Sequence, residues 1–176
     1  VTVRGQGAQD YEAIRHVYAE AFRQPRFRPP QNPGGVPPEV ALFEALWEAA
    51  DAIPELSFTA LVEGEVVGHV TASKATVATD RVVAVGPIGV VPDHQGNGIG
   101  SALMDALLTA ADAANVPLVV LLGAPGYYSR FGFRPAEDLG VISPEPEWGA
   151  AFQARPLTAY TTSLAGRFRY ALAFSS

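Results

Sequence analysis

Residues 82–108 read Val82-Val83-Ala84-Val85-Gly86-Pro87-Ile88-Gly89-Val90-Val91, then Pro92-Asp93-His94-Gln95-Gly96-Asn97-Gly98-Ile99-Gly100-Ser101, then Ala102-Leu103-Met104-Asp105-Ala106-Leu107-Leu108. The first block is apolar and rich in β-branched residues, the pattern of a buried strand. The last block carries Leu103, Ala106 and Leu107 at helical spacing, continued by Ala110. Between them lies a loop of alternating glycines. A helix start has backbone N–H groups with no acceptor inside the helix, and the helix dipole adds partial positive charge there. Glycines let an anion approach that backbone closely. The stretch therefore predicts a strand, a phosphate or pyrophosphate cradle and a helix.

The spacing narrows the choice. A nucleotide triphosphate loop ends in Gly-Lys-Ser/Thr, whereas this one ends in Gly98-Ile99-Gly100-Ser101. The dinucleotide fingerprint is G-x-G-x-x-G followed, roughly twenty residues on, by an acidic residue. Here the pattern is G-x-G-x-G, mid-chain, without that acidic residue. A glycine-rich turn that only links strand to helix is the remaining alternative from the glycines alone.

Composition bounds the rest. The chain has 176 residues, 48% hydrophobic and 17% charged, which suits one folded domain over residues 1–176 with a real core. It has no cysteine, so disulfides, thiolate nucleophiles and zinc–thiolate sites are excluded, in keeping with a cytoplasmic protein. His16, His69 and His94 lack metal-ligand spacing, and no metal is expected. A formal net charge of -6 without a basic face argues against nucleic acid as partner. No apolar run has the length of a membrane span, and the start Val1-Thr2-Val3-Arg4-Gly5 reads as a strand, not a signal peptide.

Along the chain, residues 2–4 read as a strand and 9–23 as an amphipathic helix, with Asp10 as a cap. Residues 25–38 carry six prolines and Gly34-Gly35, which excludes a helix there. Helical spacing resumes over 39–51. Residues 57–62 and 66–76 form a hairpin about Glu63-Gly64-Glu65. After the helix over 98–114, the apolar run 116–122 reads as a strand buried on both faces. Strand, helix and strand in this order make a right-handed crossover, so strands 82–91 and 116–122 should be parallel neighbours. A short helix near Tyr127-Tyr128, a strand at Phe133, another over 151–157 and an edge strand in the tail complete the expectation.

The string Val90-x-Pro92 through Gln95, Gly98 and Gly100 resembles the acetyl-CoA motif of the GCN5-related N-acetyltransferase (GNAT) family, Gln/Arg-x-x-Gly-x-Gly/Ala. Tyr128-Ser129-Arg130-Phe131-Gly132-Phe133 resembles that family's Tyr-x-x-x-Gly-Phe. The wording of residues 122–133, and Arg169-Tyr170 with Ala173-Phe174 in the tail, is similar to an uncharacterised bacterial branch of predicted N-acetyltransferases. The resemblance implies a mixed α/β acyl-CoA N-acyltransferase fold, a central mixed sheet of about six to seven strands flanked by about four helices.

It also implies acetyl-CoA as cosubstrate and a small-molecule or peptide amine as acceptor, with a homodimer among the states common in the family. Ile88 and Val90, at the strand end with Val91, would pair with the pantetheine amides. The backbone of Gln95, Gly96, Asn97, Gly98, Ile99, Gly100 and Ser101 would hold the pyrophosphate, with helix capping as the alternative role of Ser101. Tyr128 would be the acid beside the sulfur, with its neighbour Tyr127 as the rival. The strand 84–88 carries no carboxylate, unlike members that use a glutamate there; His69 in the preceding strand is a candidate base, with a structural role for that histidine and water passing the proton to solvent as the alternative. Arg23, Arg26 and Arg28 of the proline-rich region border the implied acceptor site. A non-catalytic acyl-CoA sensor that keeps the cofactor site is the competing function.

Overall fold

The computed structural model describes residues 1–23 and 37–170. Arg26, Arg28 and nearly all of the proline-rich stretch lie outside the described residues, as does the tail beyond Tyr170. The elements are β1 (Thr2–Gly5), α1 (Tyr11–Ala21), α2 (Pro38–Glu48), β2 (Phe58–Val62), β3 (Glu65–Val77), β4 (Asp80–Val90), α3 (Ile99–Ala113), β5 (Leu118–Leu122), α4 (Pro125–Tyr128), β6 (Arg134–Pro135), β7 (Val141–Ile142), β8 (Phe152–Pro156) and β9 (Gly166–Tyr170). The strands run in the order β1-β2-β3-β4-β5-β8-β6, and β9 pairs with β3 beyond the end of β2. Among the described residues the only parallel pair on the main path is β4 with β5, as the crossover rule requires.

The β3–β4 turn is tighter than the sequence suggests. It needs only Ala78 and Thr79, with Ala78 in the left-handed region at φ 53, so β4 begins at Asp80. Asp10 does not cap α1 with its side chain. Its carboxylate instead accepts from the Gly7 N–H at 2.8 Å and from Arg4 at 2.6 and 3.0 Å, closing a short 3-10 turn ahead of the helix. The last pair of interactions holds the buried carboxyl of Asp10 below its ordinary range.

Alternation assigns the two faces of the sheet. Val83, Val85, Val119 and Leu121 pack with Ile99, Leu103 and Leu107 of α3. Val82, Ala84, Leu118 and Val120 point the other way, toward Phe152 and Phe168. The phase then changes. From Val70 to Ala72 in β3, β4 runs from Ile88 to Val85, three steps against two. The extra residue lies at Gly86-Pro87, a β-bulge. Ile88 consequently rejoins the α3 side, and Gly89 comes under α1. A Cβ at Gly89 would lie 3.1 Å from Ala21 Cβ and 3.2 Å from rings of Phe22 and Tyr18, so glycine permits this close approach.

The bulge is held from below by a buried polar network. Tyr18 of α1 is fully buried and its hydroxyl donates to the Pro87 carbonyl at 2.8 Å. The same hydroxyl is 2.6 Å from His69 Nδ1 and 2.9 Å from Thr71 Oγ1. His69 Nε2 is 2.7 Å from Gln6 Oε1. A buried polar group without a partner costs roughly 1–3 kcal/mol, and each of these side chains lies within hydrogen-bond distance of at least one other. Burial pushes the His69 imidazole down to about 3, with distant Asp10 opposing the shift, so the ring is neutral at physiological pH.

That depression has a sign in stability. The unfolded chain binds a proton on His69 near pH 6.5 and the folded chain does not, so stability is complete above pH 6.5 and falls as the pH drops toward 3. Lowering the pH from 7 to 5 should remove about 2 kcal/mol through this group. Urea unfolding of the wild type at the two pH values, beside His69→Gln, measures it. The variant should lose the greater part of the pH dependence.

Candidate active site

The β4–β5 ladder is short. Val83 pairs with Val119 and Ala84 with Val120, and pairing stops there. Beyond it the strands enclose a cleft of ≈ 770 Å³ with Val85–Ile88 on one wall and Leu121, Leu122 and Tyr128 on the other. The bulge lies where pairing has ended. A strand that kinks there can no longer track its parallel neighbour.

The glycine loop follows at the end of β4. A 3-10 turn over Pro92–His94 leads to Gly96 and Gly98, at φ 79 and 78. A Cβ on either would meet nothing within 4 Å, so the left-handed backbone, and not crowding, is what calls for glycine. Gly98 is the N-cap of α3, with no side-chain cap bond. Ser101, three positions on, is therefore not the capping residue. The first hydrogen bond of α3 runs from the Ala102 N–H to the Gly98 carbonyl at 3.0 Å, which leaves the N–H groups of Ile99, Gly100 and Ser101 ahead of the ladder. The Gln95 side chain turns back: its Nε2 donates to the Val90 carbonyl at 2.9 Å and ties the loop to the strand. Asn97 Nδ2 donates to the His94 carbonyl at 3.5 Å. Loop side chains thus brace the loop, while backbone N–H groups and open space remain for an anion.

The two tyrosines separate. Their rings stand edge to face at 4.9 Å and 89°. Tyr128 lines the cleft. Tyr127 turns to the glycine loop, where a Cβ on Gly100 would come within 3.5 Å of its hydroxyl. The Arg130 guanidinium stacks on the Tyr127 ring at 4.4 Å from the centroid, and Arg130 Nε donates to the Tyr127 carbonyl at 3.0 Å. Burial raises the Tyr128 hydroxyl above its ordinary value, with Tyr127 adding to the shift. It stays protonated at neutral pH and is a hydrogen-bond donor. Gly123 fixes its place: a Cβ there would fall 2.5 Å from Tyr128 Cε2. The fully buried Gln153 in turn donates to the Gly123 carbonyl at 3.0 Å.

Residues 11–133 match the sequence model of the acetyltransferase (GNAT) family. The chain belongs to this family. It is 33% identical to the uncharacterized N-acetyltransferase YjhQ of Escherichia coli K12, over 92% of this chain and 87% of that protein. The crystal structure of a GNAT acetyltransferase from Brucella melitensis in complex with acetyl-CoA superposes with a TM-score of 0.76 at 29% identity, covering 98% of this chain and 97% of that one. The Escherichia coli GNAT protein YhbS, in complex with CoA, shares the fold with a TM-score of 0.84 at 23% identity, covering 99% and 92%.

The residues that the sequence singled out divide into three groups. Gln95 to Ser101 form one continuous loop at the start of α3. Ile88 and Tyr128 line the cleft, and Val90 and Val91 lead from it into the loop. His69 lies apart: its side chain is fully buried, it is not among the cleft-lining residues, and it reaches the cleft wall only through Tyr18 and the Pro87 carbonyl. The sequence reading missed Glu39, Glu145, Trp148 and Tyr170, which also line the cleft. The first three come from segments with no motif, Tyr170 from the tail stretch that carries part of the family resemblance, and only folding brings them beside Tyr128. Among the described residues no group of acidic or histidine side chains could hold a metal, and no helix is long and apolar enough to cross a membrane.

Gly123→Ala is a direct probe of the Tyr128 position. The new methyl group displaces the ring, so release of CoA from acetyl-CoA in the presence of an accepted amine should fall at least about tenfold. Acetyl-CoA affinity, measured by calorimetry, should stay within a few-fold of wild type.

Proposed function

We propose that the chain transfers the acetyl group of acetyl-CoA to a primary amine, acting as one acetyltransferase domain. The observation that carries this reading is the conjunction of an open β4–β5 cleft, a glycine loop with unladdered N–H groups at one end, and a protonated tyrosine in its wall. The residues fit the cosubstrate on their own geometry. Gly96 and Gly98 leave open space above the loop, and beyond Ala84 the inner edge of β4 has no strand partner among the described residues. Gly96 to Ser101 would hold the pyrophosphate through backbone N–H groups, the Ser101 hydroxyl adding a bond at the third helical position. Ile88 and Val90 would pair with the pantetheine amides as an added strand does. Tyr127, held by Arg130 over Gly100, adds a phenolic donor to the same cradle.

Acetyl-CoA supplies an acyl thioester, at whose carbonyl carbon a carbon–nitrogen bond forms while the carbon–sulfur bond breaks. Tyr128 donates its proton to the departing sulfur and regains one from solvent. The acceptor gives up two protons in all, one before attack to become a free amine and one afterwards; with one proton kept by the thiol, the net reaction releases one. The neutral, buried His69 does not receive these protons in this reading. It acts at one remove, by holding Tyr18 and through it the bulge carbonyl of Pro87. Water at the mouth of the cleft carries the acceptor's protons away.

Two measurements test the proposal. Acetyl-CoA at a hundred times its dissociation constant should add about 2.7 kcal/mol to folding stability; no thermal shift at millimolar acetyl-CoA overturns the reading. Tyr128→Phe should lower turnover by roughly 10²–10⁴ while acetyl-CoA binding persists. Unchanged turnover removes Tyr128 from the chemistry. A non-catalytic sensor would bind acetyl-CoA yet release no CoA with any amine.

A further inference from the structure

Gln153 is a buried amide in the middle of β8, 1% exposed. Its neighbours Phe152 and Ala154 pack with Phe168 on one side of the sheet. Gln153 therefore points to the other side, where it stands directly opposite Leu121 of β5. Leu121 belongs there to the cluster of Val119, Leu103 and Phe133 against which Tyr128 packs. Leucine or methionine would fill the same space without the cost of taking an amide out of water. The amide does something they cannot. Its Nε2 carries two N–H groups, and two carbonyls accept from it: Gly123 at 3.0 Å and Ala151 at 3.3 Å. The Gly123 N–H donates to the same Ala151 carbonyl at 2.9 Å. The β5–β8 ladder ends at Leu122 and Phe152, so these three bonds close it at the residue where β5 gives way to α4. One residue further on, the Ala124 carbonyl accepts from the Tyr127 and Tyr128 N–H groups at 3.1 and 3.2 Å. The Tyr128 ring lies over Gly123, with Cε2 2.5 Å from where a Cβ would stand.

We infer that Gln153 is a positioning residue for acetyl transfer: by bridging the Gly123 and Ala151 carbonyls it fixes the turn on which the Tyr128 ring rests, and so sets where the phenol stands in the cleft. The inference rests on the acetyl-transfer reading and adds a residue to that site. Gln153 is not among the cleft-lining residues and takes no part in making or breaking bonds. It acts through Gly123. The need for such a brace follows from the length of α4, which has four residues, Pro125–Tyr128. A single helical turn has no stability of its own, so the place of Tyr128 depends on what holds the turn at its base. A proton donor in turn works only from the right place, since a displacement of about 1 Å can cost on the order of 10²-fold in rate. The buried amide, by spending both N–H groups on main-chain carbonyls, gives that base one arrangement.

Gln153→Met keeps the volume and removes both donors. With acetyl-CoA and an accepted amine, its kcat should fall at least about tenfold, while KM for the amine and the acetyl-CoA affinity measured by calorimetry stay within about threefold of wild type. In the Tyr128→Phe background, which keeps the ring and lacks the proton, the same substitution should change kcat by less than about twofold. A merely structural residue lowers kcat by the same factor in both backgrounds, and that result overturns the inference. So does a wild-type kcat in Gln153→Met, or a loss confined to acetyl-CoA affinity. Should Gln153→Met lack a cooperative melt, the two backgrounds are compared with Gln153→Glu at pH 6, where burial keeps the carboxyl protonated and one donor remains. That variant should lose at least about threefold in kcat beside Tyr128 and less than about twofold in the Tyr128→Phe background; equal losses overturn the inference. A wild type that binds no acetyl-CoA, or binds it and releases no CoA with any amine, sinks the acetyl-transfer reading and this inference with it. A Tyr128→Phe variant as fast as wild type overturns the inference and leaves acetyl transfer itself standing.

Discussion

The hydrogen bond from the Tyr18 hydroxyl to the Pro87 carbonyl is the contact on which the rest of the structure turns. A β-bulge leaves one residue out of the ladder, and its buried carbonyl must find another donor. Tyr18 supplies it from α1, and His69, Thr71 and Gln6 complete the set of partners. With the bulge fixed, β4 changes phase and leaves β5 after a single pair of ladder steps. The cleft exists because those strands part. A straight β4 would have continued the parallel ladder and closed the space with Val and Leu side chains.

The same network decides what His69 can be. Imidazole has the pKa a general base needs only when it is solvated or charge-paired. Here it sits in β3 between Thr59 and Gly89, covered by α1, and burial drives it far from that range. Its three hydrogen-bonding neighbours are a phenol, a hydroxyl and an amide, none of which carries a charge that would restore basicity. A histidine in such a setting is worth more as a rigid two-sided connector than as a proton acceptor. The sequence shows only its strand position; the helix that buries the ring lies about fifty residues upstream, where Tyr18 reads as one more member of an amphipathic stripe.

The glycine loop was legible because it is local. Strand end, proline, Gln95 and three glycines occupy one continuous segment, and each follows from a backbone requirement that no other residue type meets as well: left-handed φ at Gly96 and Gly98, and a free helix start beyond them. The crossover from β4 through α3 to β5 is equally local, and handedness then fixes the parallel pairing. Boundaries slipped by one or two residues where a turn was tighter than its composition suggests, as at Ala78-Thr79. Asp10 shows the other kind of miss. Its position before α1 reads as a cap, yet Arg4 lies within reach in β1 and captures the carboxylate.

The rest of the cleft wall was illegible for the opposite reason. Phe22, Glu39, Glu145 and Trp148 carry no shared spacing, and their convergence depends on α1 and α2 crossing one face of the sheet while the β7–β8 loop returns beside β5. Selection by such a wall is a matter of side-chain chemistry, and it can change by single substitutions without disturbing β4, α3 or the glycine loop. The glycine loop, by contrast, is held by main-chain geometry that a side chain at Gly96 or Gly98 would strain. In the proposed reaction the proton donor stands where the cleft meets the loop: Tyr128 lies in the cleft wall, with its ring packed over Gly123 and edge to face with Tyr127 of the glycine-loop side.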